Sequence, residues 1–368
     1  MSDPTHPLSA IVLAAGEGTR MRSTRPKPLH VLCGKAMVLY VLDSLDEVTV
    51  ERAVVVVGHG ADRVTKKLSD AADDLPLEFV EQLVQRGTGD AVAVALTTFG
   101  DPLDDDDDDD GIDVLVLPGD TPLLRPSTIS SLVDQHRATG SACTVLTAVL
   151  DDPTGYGRVV RDKEGRVRRI VEQGDATPDE LEVAEVNTSI YCFRRSLLAP
   201  ALRRVTPDNA QGEYYLTDVV AVLAEAGHRV GAVVCDDPLE TAGVNDRLQL
   251  AAAEAELRRR TNDGWLRAGV TMLDPLTTYI DSTVRLAADV TLFPGVVLQG
   301  TTTVGEATEI GPGTRLVDCV VGDRTHIEAT VAVDADIGDD AVVGPFASLG
   351  PGTAVPSGTR TGPYYAAP

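Results

Sequence analysis

The sequence predicts an α/β protein built in two parts: a mostly parallel, three-layer sheet, then one long helix and a short parallel β-helix. Three observations carry this. Through the first two-thirds, short apolar runs alternate with helical patterns, the order that builds a parallel sheet with helices on both faces. From Asp246 to Arg267 the chain turns Ala-, Leu-, Glu- and Arg-rich without proline, as in one continuous helix. From Val284 onward β-branched residues recur about every six positions, at Val284, Val290, Val296, Thr302, Thr308 and Thr314. After a short interruption come Ile327, Val331, Val333, Ile337, Val342 and Val343. A hexad period marks a parallel β-helix, in which each coil buries the face of its neighbour. The expected domains are residues 1–245, a connecting helix 246–267, and the β-helix 268–368.

In chain order, Leu8–Leu13 reads as a buried first strand, Arg52–Val57 as a second ending in Gly58-His59-Gly60, and Leu77–Val80 as a shorter one. Asp113–Leu117 is another buried strand, ended by Pro118-Gly119-Asp120. Helical patterns cover Asp90 to Thr98 and Ser127 to Arg137. This order places a ligand site at the carboxyl ends of the strands. The aspartate run Asp104 to Asp110 reads as a solvated loop insertion and not as a metal site. Four or five β-helix coils are near the lower limit for a solenoid, so assembly side by side, as a homotrimer, is expected.

The charge balance narrows the function. Thirty-two basic against 57 acidic residues leave a net charge of −25, which repels nucleic acid and anionic membrane as partners. It also repels an anionic substrate, so local cations must offset the global field. The five cysteines are scattered and form no Cys-x-x-Cys pair, which argues against a zinc site or disulfide frame and for a reducing cytoplasm. The polar start, with no signal-type apolar segment and no membrane-length apolar run, agrees with a cytoplasmic protein.

The organising stretch is Leu13-Ala14-Ala15-Gly16-Glu17-Gly18-Thr19-Arg20-Met21, followed by Arg25-Pro26-Lys27-Pro28-Leu29. Glycines after a buried strand let the backbone bend tightly, and turn N–H groups beside them cradle anionic oxygens. Arg20 and Lys27 add fixed positive charge. No Lys-Ser/Thr follows the glycines, as a P-loop would need, and Met21 stands where a dinucleotide fingerprint needs its third glycine. The pattern points to a triphosphate site. A second glycine turn, Gln82 to Gly87-Thr88-Gly89, opens a helix and could read a base through its amides. Leu117-Pro118-Gly119-Asp120 supplies a carboxylate at the end of a buried strand.

The glycine-rich stretch with Pro26-Lys27-Pro28-Leu29 resembles the signature loop of sugar-phosphate nucleotidylyltransferases. Further segments, in order, are Gly87-Thr88-Gly89, Gly119-Asp120, Thr154-Gly155-Tyr156-Gly157-Arg158, Ile170 to Gln173, Glu185 to Thr188, Gln211 to Asp218 and Gly243 to Gln249. With these, residues 8–368 look like the N-acetylglucosamine-1-phosphate uridylyltransferase family, whose full-length bacterial members add an acetyltransferase half on a left-handed β-helix. The resemblance implies a Rossmann-like nucleotidyltransferase domain making UDP-N-acetylglucosamine and pyrophosphate from UTP and N-acetylglucosamine 1-phosphate. It implies that Leu13, Ala14, Ala15, Gly16, Gln82, Gly87 and Thr88 contact the nucleotide, and that Arg20, Lys27 and Asp120 are catalytic. Asp120 and Asn245 would hold Mg²⁺, and Gly119, Gly157, Glu172, Asn187 and Asn245 would bind the sugar. Three departures stand out. Pro28 is more typical of related hexose-1-phosphate enzymes. Ser189 replaces a glycine usual after Asn-Thr. Ser348 and Gly350 replace arginines of the acetyltransferase half, whose catalytic histidine lies downstream of the last histidine here, His326, so acetyl transfer is expected to be absent. The alternatives are another hexose 1-phosphate with UTP, dTTP or GTP, and a non-catalytic sugar-nucleotide-binding assembly protein; the intact Asp120, Lys27 and Asn245 speak against the latter.

Overall fold

The computed structural model describes residues 7–71, 75–99 and 112–367; the aspartate run at Asp104 to Asp110 lies outside them. The chain divides into two compact units, Met1–His30 with Ala36–Gln249, and Val31–Lys35 with Leu250–Pro368.

The first unit is organised by a nine-stranded sheet. Its strands are β1 (Leu8–Ala14), β2 (Arg52–Val57), β3 (Leu77–Glu81), β4 (Asp113–Pro118), β5 (Cys143–Val149), β6 (Arg158–Arg161), β7 (Val167–Val171), β8 (Glu185–Arg194) and β9 (Val230–Val234). The main order is β9-β5-β8-β4-β1-β2-β3, with β6 beside β8 and β7 beside β6. Strands β3, β2, β1 and β4 are mutually parallel, and β9 is parallel to β5. The exception in the main path is β8, antiparallel to both β4 and β5.

Burial follows the two-residue period of a strand. In β1, Ile11 joins the core on one face while Ala10 and Val12 join the core on the other. One face packs against α1 (Met37–Asp43), α2 (Ala61–Ser69) and α4 (Pro126–Thr139) through Val38, Leu68, Ile129 and Leu132. The opposite face packs against α3 (Thr88–Leu96), α6 (Arg195–Leu202) and α7 (Thr217–Glu225) through Val92, Leu198, Val219 and Leu223, with α5 (Pro178–Leu181) a single turn between strands. Helix α4 begins with Pro126 in its first turn and stops at Gly140, whose φ of 58° ends it in the left-handed region. None of the helices among the described residues is long and apolar enough to cross a membrane.

Helix α8 (Arg247–Arg267), which belongs to the second unit from Leu250 onward, leads to sixteen short strands, from Thr271–Met272 to Ala366–Ala367, stacked in parallel sheets of five, six and five. Each coil gives one strand to each sheet, so Leu292, Ile310, Ile327 and Val343 stack in register. At many corners one residue enters the left-handed region, and the next points inward. Asp289, Ala307, Asp318, Arg324, Asp334 and Asp340 all have positive φ, before buried Val290, Thr308, Cys319, Thr325, Ala335 and Ala341. Buried threonines stay satisfied between coils: Thr308 Oγ1 donates to the Gly322 carbonyl (2.8 Å) and accepts from the Thr325 amide (3.0 Å).

The hexad reading needs one correction. The interruption after Thr314 is a shortening of the corners: Ile310 pairs with Ile327, 17 positions on, and Ile327 with Val343, 16 on. A one-residue slip turns a strand's side chains to the other face. Val331 is therefore 46% exposed, and Val333 and Val342 are only partly buried, while Thr330, Ala332 and Ala341 fill the interior.

Candidate active site

Strands β1 and β4 are neighbours in register, with Leu13 opposite Pro118, and β1's other neighbour is β2. The chain thus leaves β1 toward one side and returns on the other, so the two carboxyl ends flank a switch point. The Gly119 amide donates to the Leu13 carbonyl at 2.9 Å, and a Cβ on Gly119 would lie 2.9 Å from that oxygen. Only glycine permits this approach, which sets Asp120 beside the first glycine loop. The Asp120 carbonyl accepts from the Val244 amide (2.9 Å), and this brings in Asn245. Lys27 arrives on a 3-10 turn, Lys27–Leu29, packed on Gly18, where a Cβ would sit 2.7 Å from Lys27 Cβ.

These three distant residues meet. The Lys27 ammonium is ion-paired with Asp120 Oδ2 and donates to Asn245 Oδ1 at 2.8 Å. The side chains of Lys27 and Asp120 are 13% and 25% exposed, so the pair is shielded but open on one side.

In front of them lies a cleft of about 440 Å³, reached by Leu13, Ala15 and Gly16 from the first loop and by Gln82, Gly87 and Thr88 from the second. Ala14 points the other way, into the core, as the alternation of a strand requires. Gln82 is buried, and its Nε2 donates to Asp90 Oδ2 (2.8 Å) and the Gly87 carbonyl (3.2 Å). Gly87 has φ 110°, and a Cβ there would lie 2.5 Å from the Tyr214 carbonyl. Thr88 Oγ1 accepts from the Leu216 amide (3.0 Å) and so fastens this loop to the segment before α7.

The expected sugar-side residues form a second group. The Gly157 carbonyl accepts from the Asn187 amide (2.8 Å), and a Cβ on Gly157 would lie 3.3 Å from Glu172 Oε2. Glu172 accepts from the Thr217 hydroxyl (3.2 Å), and burial raises its carboxyl above the usual range. Asn187 lines the cleft; Gly119, Gly157 and Glu172 do not. Arg20 is exposed on the 3-10 turn Thr19–Met21 and also stands outside the lining.

Sequence reasoning missed two contributors. Gln85 donates from Nε2 to the Ala15 carbonyl (2.6 Å), tying one glycine loop to the other. Tyr156 lines the cleft, and burial together with the Asp120 charge raises its phenol. Neither follows a spacing rule, although Tyr156 sits inside a segment that carried the resemblance. Ser189 also lines the cleft, with φ 63°, where the register of β8 against β5 shifts between Asn187 and Ile190. That left-handed bulge is the physical reason for a glycine there.

Among the described residues, one other cluster has ligand-type residues. Asp113, His136 and Cys192 come within 4.8 Å of one another in the core. His136 bonds Thr144 Oγ1 (2.9 Å) and Asp113 Oδ1 (3.3 Å), and Arg137 Nε reaches Asp113 Oδ2 at 3.0 Å. Burial alone would raise the Asp113 carboxyl, but the bonds and charge from His136 and Arg137 outweigh it and hold it below its usual value. With a guanidinium already on the carboxylate, this is an internal polar clamp. All five cysteines are buried free thiols.

Glycine loop, basic turn and carboxylate at a switch point define an α/β domain of the nucleotidyltransferase class, and residues 10–178 match the MobA-like NTP transferase domain family. The "Bifunctional protein GlmU" of Streptomyces coelicolor is 47% identical over 327 residues, covering 89% of this chain and 66% of that protein. That of Shouchella clausii is 44% identical over 322 residues, covering 88% and 68%. That of Heliobacterium modesticaldum is 43% identical over 330 residues, covering 90% and 69%. The chain spans about two thirds of the length of these curated relatives, and it belongs to the bifunctional GlmU protein family.

Two outcomes are expected. Ser189→Gly removes a left-handed strain of ~1–2 kcal/mol at an unfolded-state cost of ~0.5–1 kcal/mol, so urea midpoints should rise slightly; a fall would mean that the hydroxyl itself matters. Glu172 has a folded-state pKa above its unfolded value, so its ionisation weakens the fold as pH rises from its usual titration range through the raised one. Glu172→Gln should therefore gain stability over wild type at pH 7 relative to pH 4, measured by denaturation at both.

Proposed function

We propose that this chain makes UDP-N-acetylglucosamine and pyrophosphate from UTP and N-acetylglucosamine 1-phosphate, with Mg²⁺ as cofactor. The observation that carries the proposal is the meeting of Lys27, Asp120 and Asn245 at the mouth of the glycine-loop cleft, in a chain 44% identical to a GlmU protein it covers to 68%.

The magnesium assignment has a direct test of fit. The Lys27 ammonium already stands as a cation between Asp120 Oδ2 and Asn245 Oδ1, so two oxygens converge on one positive charge. Hard oxygen donors in small number suit Mg²⁺, which keeps most of its waters. Asp120 and Asn245 would hold it, and its role would be to neutralise charge on the triphosphate.

The remaining work falls to the chain. Amides around Gly16 and Gly18 would receive phosphate oxygens. Gln82, with its Nε2 committed to Asp90 and Gly87, keeps Oε1 as an acceptor for a base N–H. Lys27, on leaving Asp120, would turn to the phosphate under attack, and Arg20 on its exposed turn would follow the pyrophosphate as it leaves. A sugar-phosphate oxygen displaces pyrophosphate at the α-phosphorus, so rate comes from alignment and charge neutralisation. Gly119, Gly157, Glu172 and Asn187 would hold the sugar: carboxylate and amide accept from and donate to hydroxyls, and Gly157 keeps backbone clear of the Glu172 carboxylate.

The proposal includes no acetyl transfer, on the ground that Ser348 and Gly350 stand where arginines are expected. It includes assembly as a trimer through the β-helix, supported by apolar side chains on its outside, such as Val320, Val331 and Phe346 at 53%, 46% and 58% exposure. Light scattering at micromolar concentration should give three times the chain mass; a monomer would remove that part.

Asp120→Ala and Lys27→Ala should each lose at least ~100-fold in turnover, since a charge-stabilising group contributes about 3 kcal/mol. Pyrophosphate release with Mg²⁺, run over a panel of sugar 1-phosphates and nucleoside triphosphates, measures this and names the substrate pair. Unchanged turnover in either variant would defeat the site assignment.

A further inference from the structure

A second cavity, of about 590 Å³, opens in the first unit at the edge of the sheet. Its walls are the turn between β6 and β7, the first half of β7, the end of α4 and the connection from α7 into β9. The active cleft gathers loops that follow the carboxyl ends of β1 and β4, whereas this cavity gathers the start of β9, which runs in the same direction as β4. The two therefore lie at opposite ends of the strands.

The lining carries four arginines, Arg161, Arg166, Arg168 and Arg229, with His228. That is a dense cluster for a chain of net charge −25. The four are not equivalent. Arg161 is held by Glu185 through two bonds of 2.7 Å and by the Gly165 carbonyl at 2.8 Å. Arg166 is held by Asp162 Oδ2 (2.9 Å) and Glu164 Oε2 (3.0 Å). Among the described residues, the side chains of Arg168 and Arg229 have neither an ion pair nor a hydrogen bond, although the chain offers 57 carboxylates.

A plain electrostatic explanation accounts for part of this. Helices α4 and α7 end at the rim, and a cation beside a helix carboxyl end is favourable. That covers Arg229, which follows α7, but not Arg168, which comes from a strand. Arg168 and Arg229 are both solvent-exposed and both line this concavity, where their guanidinium donors are open to an anion. Guanidinium forks match phosphate oxygens two at a time, and the volume falls in the range of small-molecule sites.

We propose that this cavity binds a phosphorylated small molecule, its phosphate held by Arg168 and Arg229, at a site separate from the cleft of Lys27 and Asp120. The proposal does not depend on the identity of the reaction. Calorimetric titration at low ionic strength without Mg²⁺, using inorganic pyrophosphate, glucose 1-phosphate and UMP as probes, tests it; the tightest of the three distinguishes free pyrophosphate from a sugar or nucleotide source. Arg168→Gln/Arg229→Gln should bind that probe about 100-fold more weakly, two charge-assisted hydrogen bonds being lost, with unfolding temperature and turnover unchanged. Arg20→Gln/Lys27→Gln should keep the site. Equal affinity for sulfate, undiminished binding in Arg168→Gln/Arg229→Gln, or loss of all binding in Arg20→Gln/Lys27→Gln would each overturn the proposal. Should the double variant unfold, Arg229→Gln alone, expected to weaken binding about 10-fold, makes the same decision.

Discussion

The Lys27 ammonium between Asp120 and Asn245 is the constraint around which the first unit is arranged. Residues separated by 93 and 218 positions have to arrive within hydrogen-bond distance of one nitrogen. Each arrives on a turn whose position is fixed by the sheet: Asp120 from the end of β4, Asn245 through the Val244 amide bonded to Asp120, and Lys27 from the turn packed on Gly18. The neighbouring β1–β4 ladder is thus what gives a carboxylate and a basic turn a common address.

The close approaches in that address are made by glycine, and they differ in kind. Gly119 and Gly89 allow backbone to meet backbone, each with a would-be Cβ 2.9 Å from a carbonyl oxygen, while Gly87 adds a positive φ to the same crowding. Gly16 has open space around it, with nothing within 4 Å of a Cβ. The first group therefore serves assembly of the site, and Gly16 leaves room in front of it. A close-packed interior felt at single-methyl resolution makes such positions as decisive as the charged ones.

Much of this was legible in the sequence, and the reasons it was or was not are physical. Buried parallel strands are nearly continuous apolar runs, so Arg52–Val57 and Asp113–Leu117 announced themselves. The β-helix was legible as long as its corners kept one length; when they shortened, Val331 and Val342 still looked like interior residues although the slip had turned them outward. Antiparallel β8 was not anticipated, because nothing in a run of apolar residues encodes strand direction. Asp120 and Asn245 were found through segments of resemblance, since a lone aspartate in a Gly-Asp turn carries no chemistry by itself. Gln85 was out of reach: its link to the Ala15 carbonyl joins two loops that only the folded sheet sets side by side. The cavity was equally hidden: Arg161, Arg166 and Arg168 lie close together in sequence, but only the fold brings Arg229 to the same concavity and shows which of the four are already paired.

The positive-φ corners of the β-helix have a further consequence. Left-handed backbone is tolerated best by glycine, asparagine and aspartate, and here Asp289, Asp318, Asp334 and Asp340 occupy such corners. Where geometry already restricts the choice of residue, aspartate adds negative charge to the outer surface at no conformational penalty beyond the one the corner imposes on any side chain. Part of the chain's acidity is thereby written into its coil geometry, and where a corner holds Arg324 instead, that guanidinium pairs with the aspartate at the Asp340 corner and cancels its charge.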